Sequence, residues 1–260
     1  MITEINDGYV RTDREHGIVT IEFFHPQSNS LPSRILEALA QTIHSEGLNS
    51  NTKVILLKSA GERVFCSGAS FAELSSITTE AQGKAFFAGF AKVIIAMRNA
   101  PKFIIARVQG KCVGGGVGLI AAADYAIAAE GADVRLSELS FGIGPFVVGP
   151  VVEKKIGMAS YTHLTIDSNV WRSADWAKRK GLYAELHPDI NAVDDSIQRL
   201  TTALSHNNPE AMKELKKVFW KGTEHWDELL KERAAISGRL ILSDYSKNFI
   251  QKFKQKDILH

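Results

Sequence analysis

The stretch Phe103–Phe146, FIIARVQGKCVGGGVGLIAAADYAIAAEGADVRLSELSFGIGPF, decides how the rest of the chain is read. It opens on an apolar, β-branched run, Phe103–Val108, which predicts a buried strand. Gly110 ends that run. Three consecutive glycines, Gly114, Gly115 and Gly116, lead into a short apolar helix expected over Leu119–Ala123. Glycine is costly to order, so three together indicate a backbone that needs unusual angles or very close approach. At a helix start, free N–H groups point outward with the positive end of the dipole behind them. Such a place suits developing negative charge. Further on comes Glu138, set between leucines in LSEL. A carboxylate in apolar surroundings has a raised pKa, which matches proton transfer near neutral pH.

Plainer readings compete. A glycine cluster is most often a turn, and a single Glu is most often solvated. A sharper rival is a dinucleotide site, because Gly116, Gly118 and Ala121 spell G-x-G-x-x-A and Glu138 has the spacing of a ribose-binding acid. Three features argue against it. The helix before Asp124 is too short for a βαβ crossover. Gly110–Val113 separate the strand from the glycines. Glu138 leads into another glycine turn rather than ending a clean strand.

The chain has 260 residues, enough for one or two domains with a sizeable core. The 45% hydrophobic and 23% charged fractions are those of an ordinary globular protein. A net charge of +2 demands neither nucleic acid nor membrane as a partner. Two cysteines, Cys66 and Cys112, make no disulfide framework and fit a reducing cytoplasm. Cys66 reads as a buried filler rather than a nucleophile. The N-terminus is too polar for a signal peptide, and no apolar run is long enough to span a bilayer. The histidines show no paired ligand spacing, so no metal site is expected.

Strands are expected at Ile18–Phe24 and Lys53–Lys58, and helices at Ile35–Ser45 and Ala81–Arg98. The aromatics of the second helix, Phe86, Phe87 and Phe90, read as core before pocket. Gly157 should interrupt the helix that begins at Val151. Ser173 is a candidate N-cap, and Pro209 a helix start. Helices are also expected over Ala192–Ser205 and Trp226–Leu242, and the lysine-rich segments Lys213–Lys221 and Lys247–Lys256 read as solvated faces rather than a nucleic-acid surface. The first half thus alternates strands and helices and the last third is nearly all helix: an α/β core over 1–200 and a helical region over 201–260.

These residues resemble the crotonase, or enoyl-CoA hydratase/isomerase, superfamily. Asn29-Ser30-Leu31 is similar to its N-A-L. Phe65-Cys66-Ser67-Gly68-Ala69-Ser70-Phe71 is similar to F-x-x-G-A-D-[IL], and Gln109–Gly116 to N-G-x-x-x-G-G-G. The order and spacing of these blocks, followed by D-Y-A-I-A and the Glu138–Gly142 block, span nearly the whole chain. The resemblance implies a crotonase-like spiral of ββα units with a C-terminal helical trimerisation region, a trimer or hexamer, and an acyl-CoA substrate, with coenzyme A entering only as part of the thioester. It implies an oxyanion hole from the N–H groups of Ala69 and Gly115. Two such donors on a thioester enolate are worth about 3–4 kcal/mol each. It assigns Cys66, Ser67, Ala69, Ser70 and Phe71 to the coenzyme side, and Phe249 and Lys252 (F-x-x-K) to a neighbouring subunit's adenine and phosphate. Gly114, Gly118 and Phe146 fall in the substrate pocket.

The sequence departs from the family's hydratases at one place. They carry a Glu where this chain has Gly118, while their second Glu maps onto Glu138. One carboxylate suffices to move a proton between carbons, and Gly142-Ile143-Gly144-Pro145-Phe146 resembles the G-I-x-x-P-F of isomerases with a one-residue gap. The expectation is therefore isomerisation between 3- and 2-enoyl-CoA. Hydration, decarboxylation of a glutaconyl-type thioester, and a non-catalytic acyl-CoA-binding scaffold are the alternatives. Gly118 should leave an empty place where hydratases put their second carboxylate.

Overall fold

Alternation of short apolar runs with glycine breaks builds two sheets at once. The computed structural model describes residues 2–5 and 8–257, with side chains over 8–252. The elements are β1 (Ile2–Ile5), β2 (Gly8–Glu15), β3 (Ile18–Phe24), α1 (Ser33–Leu48), β4 (Val54–Ser59), β5 (Val64–Cys66), α2 (Phe71–Leu74), α3 (Glu80–Asn99), β6 (Phe103–Val108), β7 (Lys111–Val113) and α4 (Gly115–Ala122). Then come β8 (Tyr125–Ala129), β9 (Val134–Arg135), a 3-10 turn (Glu138–Phe141), α5 (Gly149–Ile166), α6 (Ala174–Arg179), β10 (Glu185–His187), α7 (Ile190–Ser205), α8 (Pro209–Phe219), α9 (Trp226–Leu240) and α10 (Asp244–Asp257).

The large sheet has the order β1-β2-β3-β4-β6-β8-β10, antiparallel through β3 and parallel beyond it. The small sheet, β5-β7-β9, is parallel. Successive strands therefore alternate between sheets: β4 to the large and β5 to the small, β6 and β7 likewise, then β8 and β9. Each pair is followed by helix, which is the spiral of ββα units. Strands buried on both faces read as unbroken apolar runs, and Phe103–Val108 is buried at every position but Arg107. By contrast the small-sheet strands, two or three residues long, are too short to leave a periodic signal.

Gly157 has φ 77° and breaks α5, as its sequence suggested. Ser173 caps α6 by accepting from the Trp176 amide. Lys213–Lys221 is largely exposed, as expected of a solvated face, but Lys216 departs from it. Lys216 is 3% exposed and its ammonium lies 2.6 Å from Asp124 Oδ2, on the residue that follows the α4 C-cap. It also donates to the Lys102 carbonyl, while Asp124 accepts from the Ile104 amide. A lysine near its own i+3 and i+4 neighbours looks solvated in sequence; its buried partner lies 92 residues away.

Candidate active site

The three residues singled out by sequence follow the three small-sheet strands. Ala69 comes after β5, Gly115 after β7 and Glu138 after β9. Parallel strands present the loops at their C-terminal ends to one edge, where ligands of open α/β sheets bind. Those loops line one largely apolar cavity. Ser67, Ala69, Phe71, Gly114, Gly115, Glu138 and Phe146 all line it.

The glycine run is itself helical from Gly115 onward, rather than from Leu119. Its local cost is offset by approaches that no side chain permits. A Cβ on Gly114 would lie 2.8 Å from Glu138 Oε1, and one on Gly115 would overlap the Phe90 ring. A Cβ on Gly116 would lie 2.7 Å from that of Cys66. Phe90 thus packs on the backbone that opens α4, and Phe87 and Phe90 are both core and cavity wall. Among the described residues, the amides of Ala69 and Gly115 donate to no protein acceptor. Two unpaired N–H groups beside an apolar cavity are available to a developing anion.

Glu138 is buried, and its Oε2 has no hydrogen-bond partner. Desolvation pushes its carboxyl up to about 7; a backbone amide and the Arg135 guanidinium pull the other way and do not cancel it. The flanking leucines do not both supply that desolvation. Leu136 is fully buried, but Leu139 is 48% exposed. The close approach of Gly114 and the apolar cavity wall do the rest. An orphaned buried carboxylate oxygen is costly unless a ligand completes it.

Other sequence-assigned residues lie elsewhere. Cys66 is sealed in the core, its Sγ accepting from the Gly68 amide, and burial pushes its thiol up to about 12. It does not line this cavity, and a buried thiol held protonated is a poor nucleophile. Ser70 is 3% exposed and caps α2. Gly118 does not line the cavity either, and no vacant place adjoins it. A Cβ there would lie 2.5 Å from Val148 Cγ1. Val148, on the loop before α5, lines the cavity in its place. Phe249 packs on Phe141 of its own chain, with ring centroids 6.0 Å apart. Helix α10 also braces the turn after Glu138, since a Cβ on Gly142 would lie 2.5 Å from Ser246 Oγ. Phe249 is thereby engaged within its own chain, and Lys252 is exposed. Sequence reasoning missed Val148 and Ser237, which reach the wall from a loop and from α9. Neither belongs to a motif, so no local signal marks them.

Comparison with known proteins agrees with this geometry. Residues 13–256 match the family described as "Enoyl-CoA hydratase/isomerase". A relative from Bacillus subtilis (strain 168), named "Probable enoyl-CoA hydratase", is 27% identical over 241 residues, covering 92% of this chain and 93% of its own. A peroxisomal Delta(3,5)-Delta(2,4)-dienoyl-CoA isomerase from Arabidopsis thaliana is 25% identical over 211 residues, covering 75% and 74%. In fold, the chain matches the crystal structure of an enoyl-CoA hydratase from Bacillus halodurans with a TM-score of 0.86, at 20% identity, over 94% of this chain and 99% of the other. The chain belongs to the enoyl-CoA hydratase/isomerase family and is an enzyme of the crotonase superfamily.

Proposed function

We propose that this enzyme moves a double bond between the 3- and 2-positions of an enoyl-CoA by proton transfer through Glu138 alone. The observation that carries the reading is a single buried carboxylate with an unpartnered oxygen on a cavity where Val148 fills the space beside Gly118. Ionised Glu138 takes a proton from C2 of a 3-enoyl thioester. The electron pair delocalises onto the thioester oxygen, where the Ala69 and Gly115 amides hold the charge. The protonated carboxyl then delivers its proton to C4, and the double bond comes to rest between C2 and C3. A pKa near the working pH suits one group to act as base and then acid. No water is activated, so no second carboxylate is required.

Coenzyme A takes part only as the thioester carrier, with Ser67, Ala69 and Phe71 on its side of the cavity. Trimeric or hexameric assembly in the cytoplasm, with residues 201–260 forming the helical assembly region and Lys252 reaching a neighbour's phosphate, completes the proposal. Hydration is the second reading, favoured by the name of the Bacillus subtilis relative. It needs a second acid that Val148 leaves little room for at position 118. Decarboxylation of a glutaconyl-type thioester would bring a carboxylate into a cavity lined by no Lys, Arg or His, and an unpaired buried charge is costly.

Product analysis by mass spectrometry on 2-enoyl, 3-enoyl and glutaconyl thioesters tests this. A shifted double bond at unchanged mass is the expected product. A gain of water or a loss of carbon dioxide as the main reaction would overturn it.

A further inference from the structure

The cavity wall is apolar except at two places. One is the reacting edge, where Ser67 and Ser137 sit beside the loops that carry Ala69 and Glu138. The other is Ser237, which arrives from α9. Ser237 is 1% exposed. Its hydroxyl makes no hydrogen bond to any described residue. A serine in mid-helix ordinarily turns its hydroxyl back to the carbonyl one turn earlier or out to water. This one does neither, and it lines the cavity.

Its position is fixed by backbone contact. Next to it, Gly238 meets Gly83 of α3: a Cβ on Gly83 would lie 2.6 Å from the Gly238 carbonyl oxygen. Two helices crossing at paired glycines leave no slack, so Ser237 is held beside the α3–α9 contact. Phe87 and Phe90 form the wall on that side, and Phe90 also packs on Gly115. Ser237 therefore adds a hydroxyl to a cavity wall otherwise made on that side by Phe87 and Phe90, and it comes from a different element than the loops that carry Ala69, Gly115 and Glu138.

Resting on the acyl-CoA reading above, we propose that Ser237 is a specificity residue for an acyl group carrying a neutral oxygen, a hydroxyl or a ketone, where the chain passes α9. A plain hydrocarbon chain against Ser237 would strand a buried hydroxyl, whereas an oxygen there completes it. A carboxylate is the wrong partner, because no cationic side chain lines the cavity and Glu138 already places one acid in it.

The test is equilibrium binding of a series of saturated straight-chain acyl-CoAs and their ω-hydroxy counterparts of equal length, to wild type and to Ser237→Ala. Saturated ligands cannot turn over. Alanine removes only the hydroxyl and favours the helix, and circular dichroism checks the fold. One ω-hydroxyacyl-CoA should bind wild type about tenfold more tightly than its plain counterpart, and Ser237→Ala should erase the difference. Equal affinities throughout the wild-type series would overturn the proposal, as would a preference that survives Ser237→Ala; plain acyl-CoA binding would in both cases leave the broader reading standing. If folded wild type binds no member of either series, the acyl-CoA reading falls and this inference with it.

Discussion

Val148 Cγ1 occupies the volume into which any side chain at position 118 must project, 2.5 Å from where a Cβ on Gly118 would stand. Gly118 is therefore a packing requirement of the α4–α5 contact, and a carboxylate cannot simply be added there. Gly118→Glu alone should destabilise the fold by about 1–3 kcal/mol or more and should not introduce hydration. Pairing it with Val148→Ala should recover part of that stability. Thermal denaturation of both variants, with a water-addition assay on a 2-enoyl-CoA, checks this; fast hydration by the single variant would contradict it.

Glu138 must be ionised to accept a proton, and its carboxyl titrates at about 7 in the fold. The kcat/KM profile should therefore fall below about pH 7 with a slope of one and level off above it. Glu138→Gln should lower turnover by about 10²–10⁴ while leaving acyl-CoA affinity largely unchanged. A flat profile between pH 5 and 9, in roughly that window around the proposed group, would exclude it as the base.

The same group gives a stability prediction of definite sign. Its folded pKa lies above its unfolded value of 4.5, so the native state binds the proton more tightly. The associated stability is fully present below the unfolded pKa and is lost as pH rises through about 7, in all roughly 3 kcal/mol. Glu138→Gln cannot ionise. Its Tm relative to wild type should therefore be higher at pH 8 than at pH 5, by calorimetry in about those two buffers. A difference of the opposite sign would show that the carboxylate is stabilised by a partner rather than desolvated.

Gly115 carries two demands, a free amide and room for the Phe90 ring, and they can be separated. In a Phe90→Ala background, alanine at 115 keeps the N–H and proline removes it. Proline is tolerated at the first position of a helix, where Gly115 stands. The proline variant should be slower than the alanine variant in kcat by about 10²–10³. Equal rates in two folded proteins would remove Gly115 from the oxyanion hole.

The Lys216–Asp124 pair ties α8 to the residue that ends the α4 turn. Breaking one partner leaves a buried charge, so Lys216→Ala should cost about 3–5 kcal/mol. Replacing both partners by apolar residues should cost less. Urea denaturation of the single and double variants measures the difference, and a single variant as stable as wild type would show the pair to be solvated.

Much of this protein is written locally. Apolar runs and glycine breaks determined β3, β4, β6 and most helices, though not the polar β2, because burial on both faces of a parallel strand and the 3.6-residue stripe of a helix both leave their period in the sequence. Glu138 was legible for the same reason: an acid inside an apolar stretch is rare enough to mark itself. The order of the Ala69, Gly115 and Glu138 loops was legible too, although the short strands that align them were not. Only the tertiary structure decided what meets those loops. Val148 closes the space beside Gly118 from 30 residues on, and Ser237 arrives on α9, which sequence marks only as a long helix. Phe90 touches Gly115, and α10 turns back onto its own Phe141. Each of these is a contact between elements far apart in the chain. Local periodicity fixes which face of an element is buried, but which distant side chain fills the space against it is set by close packing of the whole core.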